Sequence, residues 1–92
     1  MRKSTPPRVT LYGTSWCSDV RGLRAYLDTI GVRYTYIDIE QDEEAAMLLE
    51  QVQAGKRRIP TVAVGQDYRF VPRIWDLNVM LNQHGLLDIR AG

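Results

Sequence analysis

VTLYGTSWCSDVRGLRAYLDTIG, residues 9–31, changes its hydrophobic period midway, and that change decides the fold. Val9 to Tyr12 reads as a short strand closed by the turn-forming run Gly13-Thr14-Ser15. From Ser18 onward Val20, Leu23, Leu27 and Ile30 recur at three- and four-residue spacing, while Arg21, Arg24 and Asp28 fall elsewhere. That spacing predicts an amphipathic helix ended by Gly31. Cys17, the only cysteine of the chain, is thereby predicted in the helix's first turn.

Working outward, Pro6-Pro7 keeps the start extended, and residues 1–7 are expected to form a flexible arm ahead of one domain over residues 8–92. Downstream, Val32 to Ile39 is rich in β-branched and aromatic residues and predicts a second strand. Asp42-Glu43-Glu44 opens a second helix, with Ala46, Leu49 and Val52 as apolar positions and Gly55 as its end. Ile59 to Val64 predicts a third strand. Gly65-Gln66-Asp67 is a turn into a fourth, Tyr68 to Val71, which Pro72 stops. Ile74, Leu77, Met80 and Leu81 mark a last helix. The order β-α-β-α-β-β-α combines a crossover, which favours parallel pairing, with a tight turn, which favours antiparallel pairing. A mixed α/β sheet of four strands, covered on both faces by three helices, follows.

With 92 residues the chain makes one domain, and its 45% hydrophobic and 25% charged content is ordinary for a globular protein. A formal net charge of +1 with interspersed signs gives no general attraction to nucleic acid or to a membrane surface. The basic start at Met1 to Arg8 leads into no apolar signal region, because Gly13 halts it, and no stretch is long enough to span a bilayer. One cysteine excludes a disulfide scaffold, so any disulfide joins the chain to another molecule, and a reducing cytoplasm is the expected setting.

Two readings of Cys17 compete. Free cysteine is among the most buried residue types, and Cys17 stands at the top of the stripe Val20-Leu23-Leu27, so it reads as packing. Against this, Gly13-Thr14-Ser15 lifts the thiol to the end of a strand, where open α/β sheets bind ligands, and a helix N-terminus favours a thiolate. Trp16 reads either as the lip of such a site or as core. Tyr12 reads as packing, and His84 as a surface residue past the last helix. A lone histidine with no second cysteine offers neither metal-ligand spacing nor a Cys-His hydrolase pair.

The order of elements, the run Tyr12-Gly13-Thr14-Ser15-Trp16-Cys17 and the Ile59-Pro60-Thr61 opening of the third strand together resemble the glutaredoxin branch of the thioredoxin fold. Trp16-Cys17 and Ile37-Asp38-Ile39-Glu40 look most like the short bacterial glutaredoxin-like proteins, mycoredoxins among them. The resemblance implies that Pro60 is a cis-proline beside Cys17, leaving the main chain of Ile59 free to pair with a thiol substrate as an added strand. It implies that Arg57, just before Ile59-Pro60, holds a ligand carboxylate. Thr14 and Trp16 belong to the same implied site. Asp76 stands for the acid that the family sets before its last helix, whereas Tyr68 to Arg73 replaces the Gly-Gly of that region. In place of the family's second cysteine this chain has Val20, and Cys17-Ser18-Asp19-Val20 is not the Cys-Gly-Phe-Ser of iron–sulfur members.

The expectation is therefore monothiol exchange at Cys17. A low-molecular-weight thiol (glutathione, mycothiol or bacillithiol) is the co-substrate, thiol-modified proteins are the clients, and the chain is a monomer with no permanently bound cofactor or metal. Two other functions fit the same residues. One is an assembly module in which Cys17 and a small thiol from each of two chains ligate a [2Fe–2S] cluster, and the other is a non-redox binding domain using the Ile59 edge.

Overall fold

The structure is a computed structural model that describes residues 8–87. The expected arm over residues 1–7 lies outside them. Seven elements follow in the expected order: β1 (Val9–Gly13), α1 (Ser18–Thr29), β2 (Thr35–Asp38), α2 (Glu43–Val52), β3 (Thr61–Val64), β4 (Asp67–Phe70) and α3 (Ile74–Gln83). The sheet runs β2-β1-β3-β4, with β1 parallel to β2 and antiparallel to β3, and β3 antiparallel to β4. It is a four-stranded mixed sheet with three helices, a thioredoxin-like α/β fold.

Strand alternation sends Val9 and Leu11 of β1, with Val62 and Val64 of β3, to one face. There they meet Leu23 and Leu27 of α1 and Leu77, Met80 and Leu81 of α3. Tyr12 and Ala63 point the other way, to Ala45 and Leu49 of α2. Burying a leucine side chain is worth roughly 1.5–3 kcal/mol, so these stripes fix which helix takes which face. Ile74 departs from its expected stripe. It is 45% exposed at the start of α3, while Leu77, Met80 and Leu81 are fully buried.

Three strands are shorter or shifted. β2 begins at Thr35 rather than Val32 because β1 offers partners only from Thr10 to Gly13. Val32 and Tyr34 instead pack as loop residues against the α1 side of the core. β3 begins at Thr61, past Pro60, which has no N–H to join a ladder. β4 begins at Asp67, opposite Val64, because the hairpin loop is only Gly65-Gln66. The second helix ends at Val52, before the left-handed Ala54 and Gly55.

Candidate active site

Gly13 is where the site begins. It continues the parity of Val9 and Leu11 and so faces α1, and a Cβ there would lie 2.5 Å from Cγ2 of Val20. The absent side chain lets fully buried Val20 settle onto the end of β1, which draws the first turn of α1 to that end. Thr14 closes the connecting turn through its carbonyl, which accepts a hydrogen bond from the Cys17 N–H at 3.3 Å. Cys17 is the residue capping the helix start rather than one within the first turn, with extended φ and ψ of -81° and 122°. Its carbonyl accepts from the Arg21 N–H at 3.1 Å, and no side chain caps the helix. The half-buried thiol therefore stands where helix N–H groups lack intrahelical acceptors.

The neighbours of Cys17 come from separate elements. Trp16 is 65% exposed, so it is a surface residue and not core, and its indole Nε1 donates to Glu40 Oε2 at 3.0 Å. Arg21 donates to the Ser15 carbonyl at 3.4 Å. Across from the start of α1, the Ile59–Pro60 peptide is cis, and the Pro60 carbonyl accepts from the Val71 N–H at 2.7 Å. Among the described residues no hydrogen bond engages the Ile59 main chain. A groove of about 430 Å³ lies between Ser18, Gly22 and Leu23 on α1 and Pro60, Val71 and Pro72 opposite.

The remaining candidates are placed differently from the sequence expectation. Thr14 is 2% exposed and its hydroxyl has no protein partner, so its visible part in the site is the main-chain carbonyl. Arg57 is held by Glu50 at 2.5 Å and Glu43 at 3.5 Å, both on α2, and the Glu50 hydrogen bond is the main cause raising its already high pKa. Asp76 accepts the Arg73 N–H at 3.0 Å, which makes it the capping carboxylate of α3. Among the described residues no group of three or more potential metal ligands is found, and no helix is long and apolar enough to cross a membrane.

Two residues escaped the sequence reading. Gln53 is buried just past α2 and binds the loop before Pro60 at both polar atoms. Its Oε1 accepts from the Arg58 N–H at 2.9 Å, and its Nε2 donates to the Arg58 carbonyl at 3.2 Å and to Thr61 Oγ1 at 2.9 Å. His84, expected on the surface, is partly buried and bonded to Asp67 at 2.9 Å, fastening the end of α3 to β4. No periodicity carries either signal, because each partner lies in another element.

A four-stranded mixed sheet in this order, flanked by three helices and with a cysteine at the start of the first, is the arrangement of a thioredoxin-fold protein. Solved structures agree on the fold. The buckwheat glutaredoxin–glutathione complex superposes with a TM-score of 0.68 at 20% identity, covering 89% of this chain and 83% of that one. A glutaredoxin from Archaeoglobus fulgidus gives 0.67 at 24% identity, covering 82% and 86%. The glutaredoxin family's sequence profile matches residues 9–69, and the chain belongs to that family. It is also similar to mycoredoxin 1 of Corynebacterium glutamicum, 46% identical over 54 residues, which span 59% of this chain and 66% of the relative.

Proposed function

We propose that the protein is a monothiol thiol–disulfide exchanger acting on mixed disulfides between proteins and a low-molecular-weight thiol. The observation that carries this reading is a lone, half-buried thiol at an uncapped helix start, next to an open groove. The Cys17 thiolate attacks the small-thiol sulfur of the mixed disulfide. A bond forms between Cys17 and that sulfur as the client's sulfur–sulfur bond breaks, and the client leaves as thiolate. A second small thiol, the reductant, then attacks the adduct, restoring Cys17 and leaving as the small-thiol disulfide. Membership of the glutaredoxin family supports exchange chemistry in general.

Within this reading Trp16 forms one wall, the main chain of Ile59 pairs with the incoming thiol beside Pro60, and the groove receives the rest of the ligand. Arg57 reaches a ligand carboxylate by giving up Glu43, whose contact is the longer of its two and whose side chain is 73% exposed. Thr14 shapes the turn under Cys17, and Asp76 fixes the α3 end of the groove. With Val20 at the position of the family's second thiol, no internal thiol competes for the adduct. Glutathione, mycothiol and bacillithiol share the needed sulfur chemistry, and a reducing cytoplasm supplies them. The test is Cys17→Ser, assayed with a peptide–small-thiol mixed disulfide and excess small thiol. Complete loss of catalysed reduction is expected, and retention of the wild-type rate would overturn the proposal.

A further inference from the structure

The groove beside Cys17 does not end at Pro72. Phe70, Val71, Ile74, Trp75 and Val79 are 39–75% exposed, an unusual concentration of large apolar side chains on a chain of this size. Phe70 ends β4, the sheet's edge strand, Val71 lies in the connection that follows, and Ile74, Trp75 and Val79 are on α3. Val71, Pro72 and Ile74 line the groove reached from Ser18 and Pro60. Pro72 is shared with a second cavity of about 260 Å³, which Phe70, Trp75 and Val79 also line. The apolar surface is therefore continuous with the exchange groove and leads away from it.

Its rim is basic. Lys56 and Arg58 flank Phe70 on one side, and Arg73 borders the groove on the other. Among the described residues none of the three cations has a carboxylate partner. Arg69 is neutralised by Asp67, and Asp76 faces the α3 N-terminus through its bond to the Arg73 N–H. Asp19 lies across the groove in the first turn of α1, opposite in sign to Arg73, so the positive charge with no carboxylate in the same cavity is that of Lys56 and Arg58. A second copy of this chain is a poor occupant, because a two-fold contact would set like rims against each other.

We infer that the surface of Phe70, Trp75 and Val79 around the second cavity, beyond the groove that takes the small thiol, docks an acidic, apolar polypeptide segment of the client whose mixed disulfide reaches Cys17. The inference rests on the exchange reading above and adds the chemistry of the client. Apolar side chains fill the slot between β4 and α3, and carboxylates meet Lys56 and Arg58.

The experiment uses two labelled peptides alternating leucine with glutamate, or leucine with lysine, around a central serine, and reads binding by fluorescence anisotropy. The acidic peptide is expected to bind about fivefold or more tighter, the size given by one or two exposed ion pairs. Trp75→Ser is expected to weaken it severalfold, and Lys56→Glu with Arg58→Glu to reverse the preference. With cysteine as its 2-hydroxyethyl mixed disulfide in place of serine, the acidic peptide is expected to pass the hydroxyethylthio group to Cys17 correspondingly faster. Trp75→Ser is expected to match wild type on bis(2-hydroxyethyl) disulfide, which has no peptide to dock. Equal affinity for the two peptides, or undiminished binding by Trp75→Ser, would overturn the inference. Failure of the wild type to react with bis(2-hydroxyethyl) disulfide while the acidic peptide still binds selectively would instead count against the exchange chemistry.

Discussion

Gly13 and Val20 decide where Cys17 stands, one by lacking a side chain and the other by filling that space. A methyl group on Gly13 meets both γ-carbons of Val20, at 2.5 and 2.7 Å, so Gly13→Ala must shift the first turn of α1 or strain it. The expected cost is about 1–3 kcal/mol, as for other overpacked core sites. Val20→Ala makes room, so in a denaturant double-mutant cycle the pair should be less destabilised than the two single changes summed. Additive values would show that the contact does not set the turn. Arg57 is the other residue-scale case. Its arginine type and its place before Ile59-Pro60 were legible in sequence, but its pairing with Glu43 and Glu50 across the length of α2 was not. Arg57→Ala is expected to raise KM severalfold for a glutathione mixed disulfide and to leave kcat unchanged, as loss of uniform binding does. A neutral 2-hydroxyethyl mixed disulfide should show no change. Equal effects on both substrates would deny Arg57 its carboxylate.

Between elements, side-chain bonds hold the pieces of the site in register. Gln53 ties the end of α2 to the loop that precedes Pro60, and replacing it with leucine strands the Arg58 N–H while preserving bulk. A loss of roughly 1 kcal/mol is expected from hydrogen bonds removed at a part-buried loop. Chemical denaturation measures it, and exchange should weaken without vanishing because Cys17 is untouched. A full loss of activity in a folded Gln53→Leu protein would mean that Gln53 does more than position the loop. Asp67 ties β4 to α3. His84's hydrogen bond chiefly, with Arg69 adding to it, holds the Asp67 carboxyl below its ordinary value of 3.8. A depressed carboxylate adds stability above its unfolded pKa and loses it as pH falls through the folded value. Asp67→Asn should therefore have a lower Tm than wild type at neutral pH. The two melting curves should begin to approach each other as pH falls below about 4, the unfolded value, and meet once pH has passed the lower folded value, where wild-type Asp67 is protonated as well. A gap that persisted unchanged at pH 2 would exclude the linkage.

Over the whole molecule, the order of seven elements was legible because each apolar stripe has one face to bury. Val9 and Leu11 alternate and Val20, Leu23 and Leu27 follow a helical period, so local pattern and final packing agree. Strand ends were less legible, since the length of β2 is set by where β1 offers partners and not by the apolar run through Val32 and Tyr34. Around the proposed site, Pro60 lies across a groove from Ser18, the residue after Cys17, because the ends of β1 and β3 that they flank pair directly. Gln53 and His84 depend on contacts between separate elements and left no local mark. Monothiol exchange as proposed places the small thiol on Cys17 alone. The direct measurement is the intact mass of the protein after brief reaction, under acid quench, with a client protein carrying a small-thiol mixed disulfide. The expected product is a protein heavier by the mass of one small-thiol adduct on Cys17, with the client released as free thiol. Accumulation of a covalent protein–client disulfide, or an unmodified Cys17 beside a reduced client, would contradict it.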